Sequence, residues 1–348
     1  MTAALWFAGI ATSVAEDSPY SPASPNEPIA KTFSLEKASQ ALDTSALWWQ
    51  KQYGCCHCHA NMMYLVARPS LEDVSKSDGQ VRQFFEQLVL DRWEKNGLRY
   101  EPEALVVAVP LAINDSRTTG KLHAATQKAL DRMIELQRPE GNWTLVLRGG
   151  KRDEVAGERQ AHFLGYEQTL FAAIGIAVAP DEYAKTAPAQ EALSKIRKYV
   201  QSHPPKSLHQ IGMLLWSASH VDGLLNEAQR KEIIADLLAK QRSDGGWSIE
   251  EITPGSPKFD PSKSPRKPES DGYATGFVIY ALRQAGVSAK NEAIQKGVKW
   301  LKVNQRESGR WFVPSFNKRP NSVITYSATA YAVLALESCG ELRARDDR

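Results

Sequence analysis

The chain lacks a surplus of one charge. Its 43 Lys and Arg against 40 Asp and Glu leave a net charge of +3, too small and too scattered to argue for a nucleic-acid partner. After residue 15 it has no apolar run near the roughly 20 residues of a membrane span, which excludes a stable transmembrane helix there. Period-two alternation of apolar residues is rare, so few strands are expected. Cysteine is scarce as well: three of the four fall within Gly54–His59. What is present is ordinary for a soluble chain, since 42% hydrophobic residues over 348 positions suffice for a sizeable core.

The first fifteen residues are uncharged and largely apolar, and Ser13-Val14-Ala15 supplies a small-x-small cleavage site. They read as the hydrophobic part of a signal peptide without the usual basic start. The expectation is an exported protein, periplasmic or extracellular. Residues 16–33, rich in Ser, Pro and Asn, read as a flexible leader, and 341–348 as a charged tail. From Ser34 onward apolar residues recur at three and four spacing, as in Leu193-Ser-Lys-Ile-Arg-Lys-Tyr-Val200. That periodicity predicts an all-α fold.

One motif carries cofactor chemistry. From Cys55 the chain reads Cys55-Cys56-His57-Cys58-His59, the Cys-x-x-Cys-His spacing that attaches a c-type haem through two thioethers and one imidazole. The same cluster also admits zinc, or a redox pair of Cys55 and Cys58. Zinc is disfavoured by crowding, because five adjacent candidate ligands cannot all face one tetrahedral ion and no second Cys/His cluster completes a site.

Three segments repeat: Gln137-Arg-Pro-Glu-Gly141-Asn-Trp143, Gln241-Arg-Ser-Asp-Gly245-Gly-Trp247 and Gln305-Arg-Glu-Ser-Gly309-Arg-Trp311. Each closes an amphipathic helix and precedes a more apolar one. The Gly suits a left-handed turn past a helix end, and the Trp can pack on a neighbouring unit. These copies resemble the QW repeat of the terpenoid cyclase and protein prenyltransferase superfamily, which includes squalene-hopene cyclase. The resemblance implies an (α/α)6 toroid over 34–340, with the first helix of each pair outer and the second inner. The expected pairs are 34–50 with 60–69, 80–96 with 102–113, 117–137 with 158–178, 188–202 with 205–220, 225–241 with 269–287, and 289–305 with 322–339. Within the first, Gln50-Lys-Gln-Tyr-Gly54-Cys55-Cys56 keeps Gln-x-x-x-Gly but sets Cys56 where the other copies have Trp. The haem motif at 54–59 therefore occupies a repeat turn, a placement similar to that of exported toroid proteins with Cys-x-x-Cys-His in their opening repeat.

The resemblance to c-type cytochromes implies Cys55 and Cys58 as the thioethers and His59 as the proximal iron ligand of one covalent haem c. Such a protein acts in electron transfer or haem redox chemistry with a redox partner that the sequence does not identify. Met62, Met63 and His57 lie too near His59 in the chain to reach the other haem face. His123 and His220 fall on the far side of the ring, and His203 and His209 nearly opposite across the cavity. His162 is the possible distal ligand; the expectation is an iron open to water or a small ligand at rest. Cys56 and Cys339 are not expected to pair, because they sit at opposite ends of their helices.

Other readings remain. The toroid can be catalytic on a lipid, terpenoid or polysaccharide, with a small molecule in its cavity, or it can be a zinc-binding or scaffold protein. The Asp-x-Asp-Asp acid of terpenoid cyclases is absent, as is the prenyltransferase zinc set. For carbohydrate chemistry the available carboxylates are Glu154, Glu158, Glu269 and Asp271. Arg148, Lys151 and Arg152, in one of two long loops on the haem-bearing face, offer charge to propionates or an acidic partner.

Overall fold

The computed structural model describes residues 21–56, 60–72, 76, 79–100, 102–143, 154–253, 268–314 and 324–342, with backbone alone for 154–164. In chain order the helices are α1 Leu35–Tyr53, α2 Asn61–Ala67, α3 Gln80–Gln87, α4 Trp93–Asn96, α5 Glu103–Arg117, α6 Ala124–Glu135 and α7 Glu154–Val178. They continue with α8 Ala187–Ser202, α9 Leu208–Ser217, α10 Glu227–Ala239, α11 Ile249–Ile252, α12 Gly272–Gln284, α13 Glu292–Val303 and α14 Ile324–Ser338. A π-helical turn, Leu88–Arg92, joins α3 to α4.

Five helices, α2, α5, α9, α12 and α14, together with the second half of α7, are apolar almost all round. In α5 every residue from Glu103 to Asp115 is buried, in α12 Gly272 to Leu282, and in α14 Ile324 to Leu336. A helix without a polar face must be covered on every side. The molecule achieves this with a closed ring: α2 packs on α5, α5 on α7, α7 on α9, α9 on α12, α12 on α14, and α14 back on α2. The α12–α14 contact is especially close, since a Cβ at Gly276 would lie 2.6 Å from the Ala332 nitrogen. The remaining long helices form an outer layer. α8 shows why, burying Ala189, Ala192, Leu193, Ile196, Tyr199 and Val200 along one stripe. The described residues thus make an all-helical α/α toroid of six pairs, close to the expected boundaries. The main departures are an α7 that begins at Glu154 and a second outer helix broken by its π turn.

The repeat turns show what the Gln, Gly and Trp contribute. Trp143, Trp247 and Trp311 each donate Nε1–H to a carbonyl ten residues earlier, on Met133, Leu237 and Leu301, at 2.8 Å. Gln137 and Gln241 donate Nε2–H to the carbonyls of Gly141 and Gly245 within the turn. They also reach Ala192 and Ala293 in the next outer helix. Gly141, with φ +101°, leaves no room for a Cβ, which would fall 2.3 Å from the Lys195 carbonyl oxygen. Each turn thereby stitches one pair to the next.

The first pair is built differently. α1 runs through Gln50 and ends at Gly54, whose φ of 54° is left-handed and whose N–H bonds the Gln50 carbonyl at 2.9 Å. This is a plain helix cap, so the sequence match at Gln50–Gly54 does not carry the repeat turn's hydrogen bonds. Residues 21–33, expected as a flexible leader, are held instead. Ala30 N–H bonds the Gln305 carbonyl at 2.7 Å, Glu307 N–H bonds the Pro28 carbonyl at 3.0 Å, and Ser308 N–H bonds Glu27 Oε1 at 2.6 Å. The extended segment supplies acceptors and donors that the last repeat turn would otherwise lack. Residues 1–15 and 343–348 lie outside the described residues. Among those described, no helix is long and apolar enough to cross a membrane.

Candidate active site

One mouth of the ring is formed by the N-terminal ends of the inner helices, and two caps set its geometry. Ser207 Oγ accepts from Gln210 N–H at 3.2 Å to begin α9, and Asp271 Oδ1 accepts from Ala274 N–H at 2.9 Å to begin α12. Each cap places the second following residue, His209 or Tyr273, in the first helical turn. Glu167 reaches the same level from within α7.

These side chains meet. His209 Nδ1 lies 2.8 Å from Glu167 Oε1 and its Nε2 lies 3.0 Å from the Tyr273 hydroxyl. Tyr273 in turn hydrogen-bonds Tyr331 of α14. A carboxylate only accepts, so the network assigns the proton on Nδ1 to the bond with Glu167 and leaves Nε2 to accept from Tyr273. The His209 ring stacks on Phe277 at 4.5 Å and 29°, and Tyr331 stands edge-on to both Tyr273 and Phe277. His209, Tyr273 and Tyr331 are 7%, 8% and 5% exposed, which keeps bulk water from competing for their protons. Burial, then the Glu167 charge, pushes the Tyr331 phenol above its ordinary pKa, so it stays protonated. Glu167, His209 and Tyr273 thus form a hydrogen-bonded chain with Tyr331 at its end, an arrangement in which Tyr273 can pass its proton to His209 and the Glu167 carboxylate can stabilise the resulting imidazolium.

The residues expected from sequence fall in different places. Cys55 is half-buried and its carbonyl accepts from Asn61 Nδ2 at 3.1 Å. Cys56 is 2% exposed, with Sγ 3.7 Å from the Tyr100 hydroxyl. Desolvation, and next the nearby Glu103, pushes its thiol well above the ordinary range. His57, Cys58 and His59 lie outside the described residues. So do Arg148, Lys151 and Arg152, and the side chains of His162, Glu154 and Glu158. His209 is not available to iron from this arrangement, because both ring nitrogens are engaged. His203 bonds the Tyr199 carbonyl of its own helix, and His123 bonds Asp115 at 2.7 Å. Glu269 is exposed. Asp271 is committed to structure: besides capping α12 it accepts from Ile249 N–H at 2.6 Å. Burial pushes its carboxyl up to about 7, against the backbone N–H groups that favour the charged form. Among the described residues no group of three His, Cys, Asp or Glu could hold a metal ion.

Of these four residues only His209 stands out in the sequence, as a histidine remote from the haem motif; Glu167, Tyr273 and Tyr331 do not. Their signal was polar residues at the mouth end of otherwise apolar helices, as in Tyr166-Glu167-Gln168 ahead of Thr169–Val178.

Residues 272–348 match the family profile of the squalene-hopene cyclase C-terminal domain. No curated protein matches the chain by sequence. Among solved structures, an ent-copalyl diphosphate synthase from Streptomyces platensis is similar with a TM-score of 0.50 and 13% identity, covering 80% of this chain and 50% of that one. The chain therefore spans about half the length of that synthase. A glycosidase is similar with a TM-score of 0.56 and 11% identity, covering 88% and 97% of the two chains. A polysaccharide lyase follows at 0.50 and 12%, covering 87% and 97%. At such identities the likeness establishes a terpenoid cyclase-like toroid fold and nothing finer.

Proposed function

We propose that this chain is a catalytic toroid that cleaves an acidic polysaccharide by β-elimination at the mouth carrying Glu167, His209, Tyr273 and Tyr331. The relay from Glu167 to Tyr331 is the observation behind this reading. Hydrolysis of a glycosidic bond ordinarily needs two carboxyl groups flanking it. Among the described residues at this mouth, Glu167 is committed to His209 and Asp271 to backbone N–H groups. Elimination needs one base and one acid instead. Tyr273, its proton handed to His209, takes the hydrogen from the carbon next to a uronate carboxylate. The electron pair forms the new carbon–carbon double bond as the bond to the neighbouring glycosidic oxygen breaks. That oxygen leaves with the proton of Tyr331. A terpenoid substrate is the less favoured alternative, because the Asp-x-Asp-Asp acid is missing from the chain.

The test is turnover of alginate, pectate, hyaluronan and chondroitin, read as ultraviolet absorbance of the unsaturated product, with squalene and geranylgeranyl diphosphate in parallel. One polyuronide should be cleaved, and His209→Ala and Tyr273→Phe should each lower kcat about 10²–10⁴-fold while the helical circular dichroism is kept. Turnover of a terpenoid alone, or full activity in both variants, would overturn the reading.

A second reading rests on a separate observation. We propose that an exported form of the chain carries a covalent haem c on Cys55 and Cys58, with His59 as iron ligand. The burial of Cys56 supports this, since it withdraws the extra thiol and leaves Cys55 as the half-exposed partner for attachment. The aromatic group of Trp48, Trp49 and Tyr53, with Tyr53 51% exposed, lies just ahead of the motif and suits a porphyrin face. A pyridine haemochrome spectrum of protein from a host with c-haem maturation should show covalent haem in the wild type and in Cys56→Ser but not in Cys55→Ser with Cys58→Ser. Zinc without haem would sink this reading.

A further inference from the structure

α9 and α12 each bring two residues of one face to the mouth that carries His209. In α9 these are His209 and Gly212, three apart, and in α12 Tyr273 and Phe277, four apart. Such spacings put each pair on one side of its helix. Gly212 is a buried glycine inside a helix, where alanine is the better helix former. Phe277 accounts for it, because a Cβ at Gly212 would lie 2.8 Å from Phe277 Cε1 and 2.9 Å from its Cζ. The Phe277 ring therefore lies in a notch of α9, beside the imidazole of the preceding turn.

Phe277 is fully buried and held from other sides as well. Tyr331 of α14 stands edge-on to it at 5.3 Å and 72°, and Tyr273 is tilted against it at 6.3 Å and 31°. His209 stacks on this fixed ring, with centroids 4.5 Å apart at 29°. The stack matters because the torsion that turns an imidazole about its Cβ–Cγ bond is broad. Which ring nitrogen carries the proton is likewise set by the neighbours. Glu167 at Nδ1 and Tyr273 at Nε2 select one tautomer only while the ring stays in the plane that joins them. A ring turned out of that plane would run edge-first into Phe277. The same stack sets an aromatic face against the imidazolium formed when Tyr273 gives up its proton, and such a face favours a cation.

We propose that Phe277 is a positioning residue for His209, and that Gly212 supplies the notch that lets it act as one. Phe277 holds the imidazole in the plane joining Glu167 to Tyr273, with the proton on Nδ1. The inference rests on the hydrogen bonds at this mouth and deepens the elimination reading, but its main test needs no substrate.

That test uses the full chain labelled with 15N at its seven histidines, read near neutral pH by the ring nitrogen shifts. The signals missing from His209→Gln identify His209. In the wild type its two nitrogens should differ widely, one protonated and one bare. In Phe277→Leu, which keeps an apolar side chain, the two shifts should converge as the tautomers mix, and the Nδ1 proton should exchange with water about tenfold faster or more. Gly212→Ala, which displaces the Phe277 ring without removing it, should move the same signals in the same direction. Phe171→Leu is the control: Phe171 is 6% exposed but packs on Trp216, so its loss should leave the His209 signals in place. Unchanged His209 signals in Phe277→Leu, or an equal change in Phe171→Leu, would overturn the proposal. Should Phe277→Leu not fold, unchanged signals in Gly212→Ala overturn it instead. On a polyuronide that the wild type cleaves, Phe277→Leu should lower kcat about tenfold or more with little change in KM. Converging shifts without turnover of any polyuronide by the wild type would remove the elimination and leave the positioning in place.

Discussion

The side chain of Gln305 holds both backbone groups of Ser34, 271 residues earlier: Oε1 accepts from Ser34 N–H at 2.8 Å and Nε2 donates to the Ser34 carbonyl at 2.9 Å. This contact is where the sixth pair closes on the first. Gln305 is 1% exposed, so a replacement strands its partners without water. Gln305→Leu is expected to cost about 2–3 kcal/mol in urea unfolding. Gly309→Ala should cost at least as much, because the new Cβ would overlap the Lys37 backbone at 2.2 Å and φ there is +86°.

Trp143, Trp247 and Trp311 each fill a buried site and make one hydrogen bond. Replacement by Ala removes both and is expected to destabilise by about 3–5 kcal/mol each. Replacement by Phe keeps most of the volume and leaves one carbonyl unpaired, so it should cost about 1–2 kcal/mol. Thermal unfolding of the two series separates packing from hydrogen bonding. Equal losses in both would mean that the indole N–H, not the ring, is what the turn requires.

The ring was legible because its information is periodic. Apolar stripes at three and four spacing gave the helices, and three copies of Gln-x-x-x-Gly-x-Trp gave the pair boundaries. The relay was less legible because it is assembled from four helices. Glu167 and Tyr331 lie 164 positions apart, and nothing in the local spacing of the four residues says that two helix starts, at His209 and Tyr273, meet the middles of two other helices. Gln50–Gly54 shows the opposite failure. Its residues match the repeat while its backbone stays helical, because without the Trp nothing holds the turn open against the helix. Asp271, at a loop edge before an apolar helix, reads more readily as a helix N-terminal charge than as a catalytic carboxylate, and it is the N-cap of α12.

Asp271 should make stability depend on pH in an unusual direction for a carboxylate. Its ordinary value of 3.8 is raised in the folded chain to about 7. Between those values the folded state holds a proton that the unfolded state has released. Stability from this group is therefore full below about pH 4, falls as pH rises towards 7, and is level above about pH 8. About three pKa units correspond to a loss of at most about 4 kcal/mol. Urea unfolding at pH 5 and pH 8 should show a decline in the wild type that is reduced in Asp271→Asn, which keeps the size and an acceptor for Ala274 N–H. An equal decline in both proteins would assign the titration elsewhere.

Glu167 tests the relay without removing any ring from it. Glu167→Gln retains the length of the side chain and an acceptor for His209 Nδ1–H, but it takes away the negative charge 2.8 Å from the imidazole. Without that charge an imidazolium at His209 is no longer stabilised, and Tyr273 has no base strong enough to take its proton near neutral pH. Under the proposed elimination kcat should fall about 10²-fold or more with little change in KM, because the interaction lost is one made after binding. A second readout needs no substrate. The Glu167 charge is one of the causes that raise the Tyr331 phenol, after burial. In Glu167→Gln that phenol should ionise at lower pH than in the wild type, seen as an earlier tyrosinate absorbance in the difference between wild type and Tyr331→Phe. If the absorbance does not move and kcat is kept, Glu167 only positions His209, and the chain of four is a packing feature of the mouth.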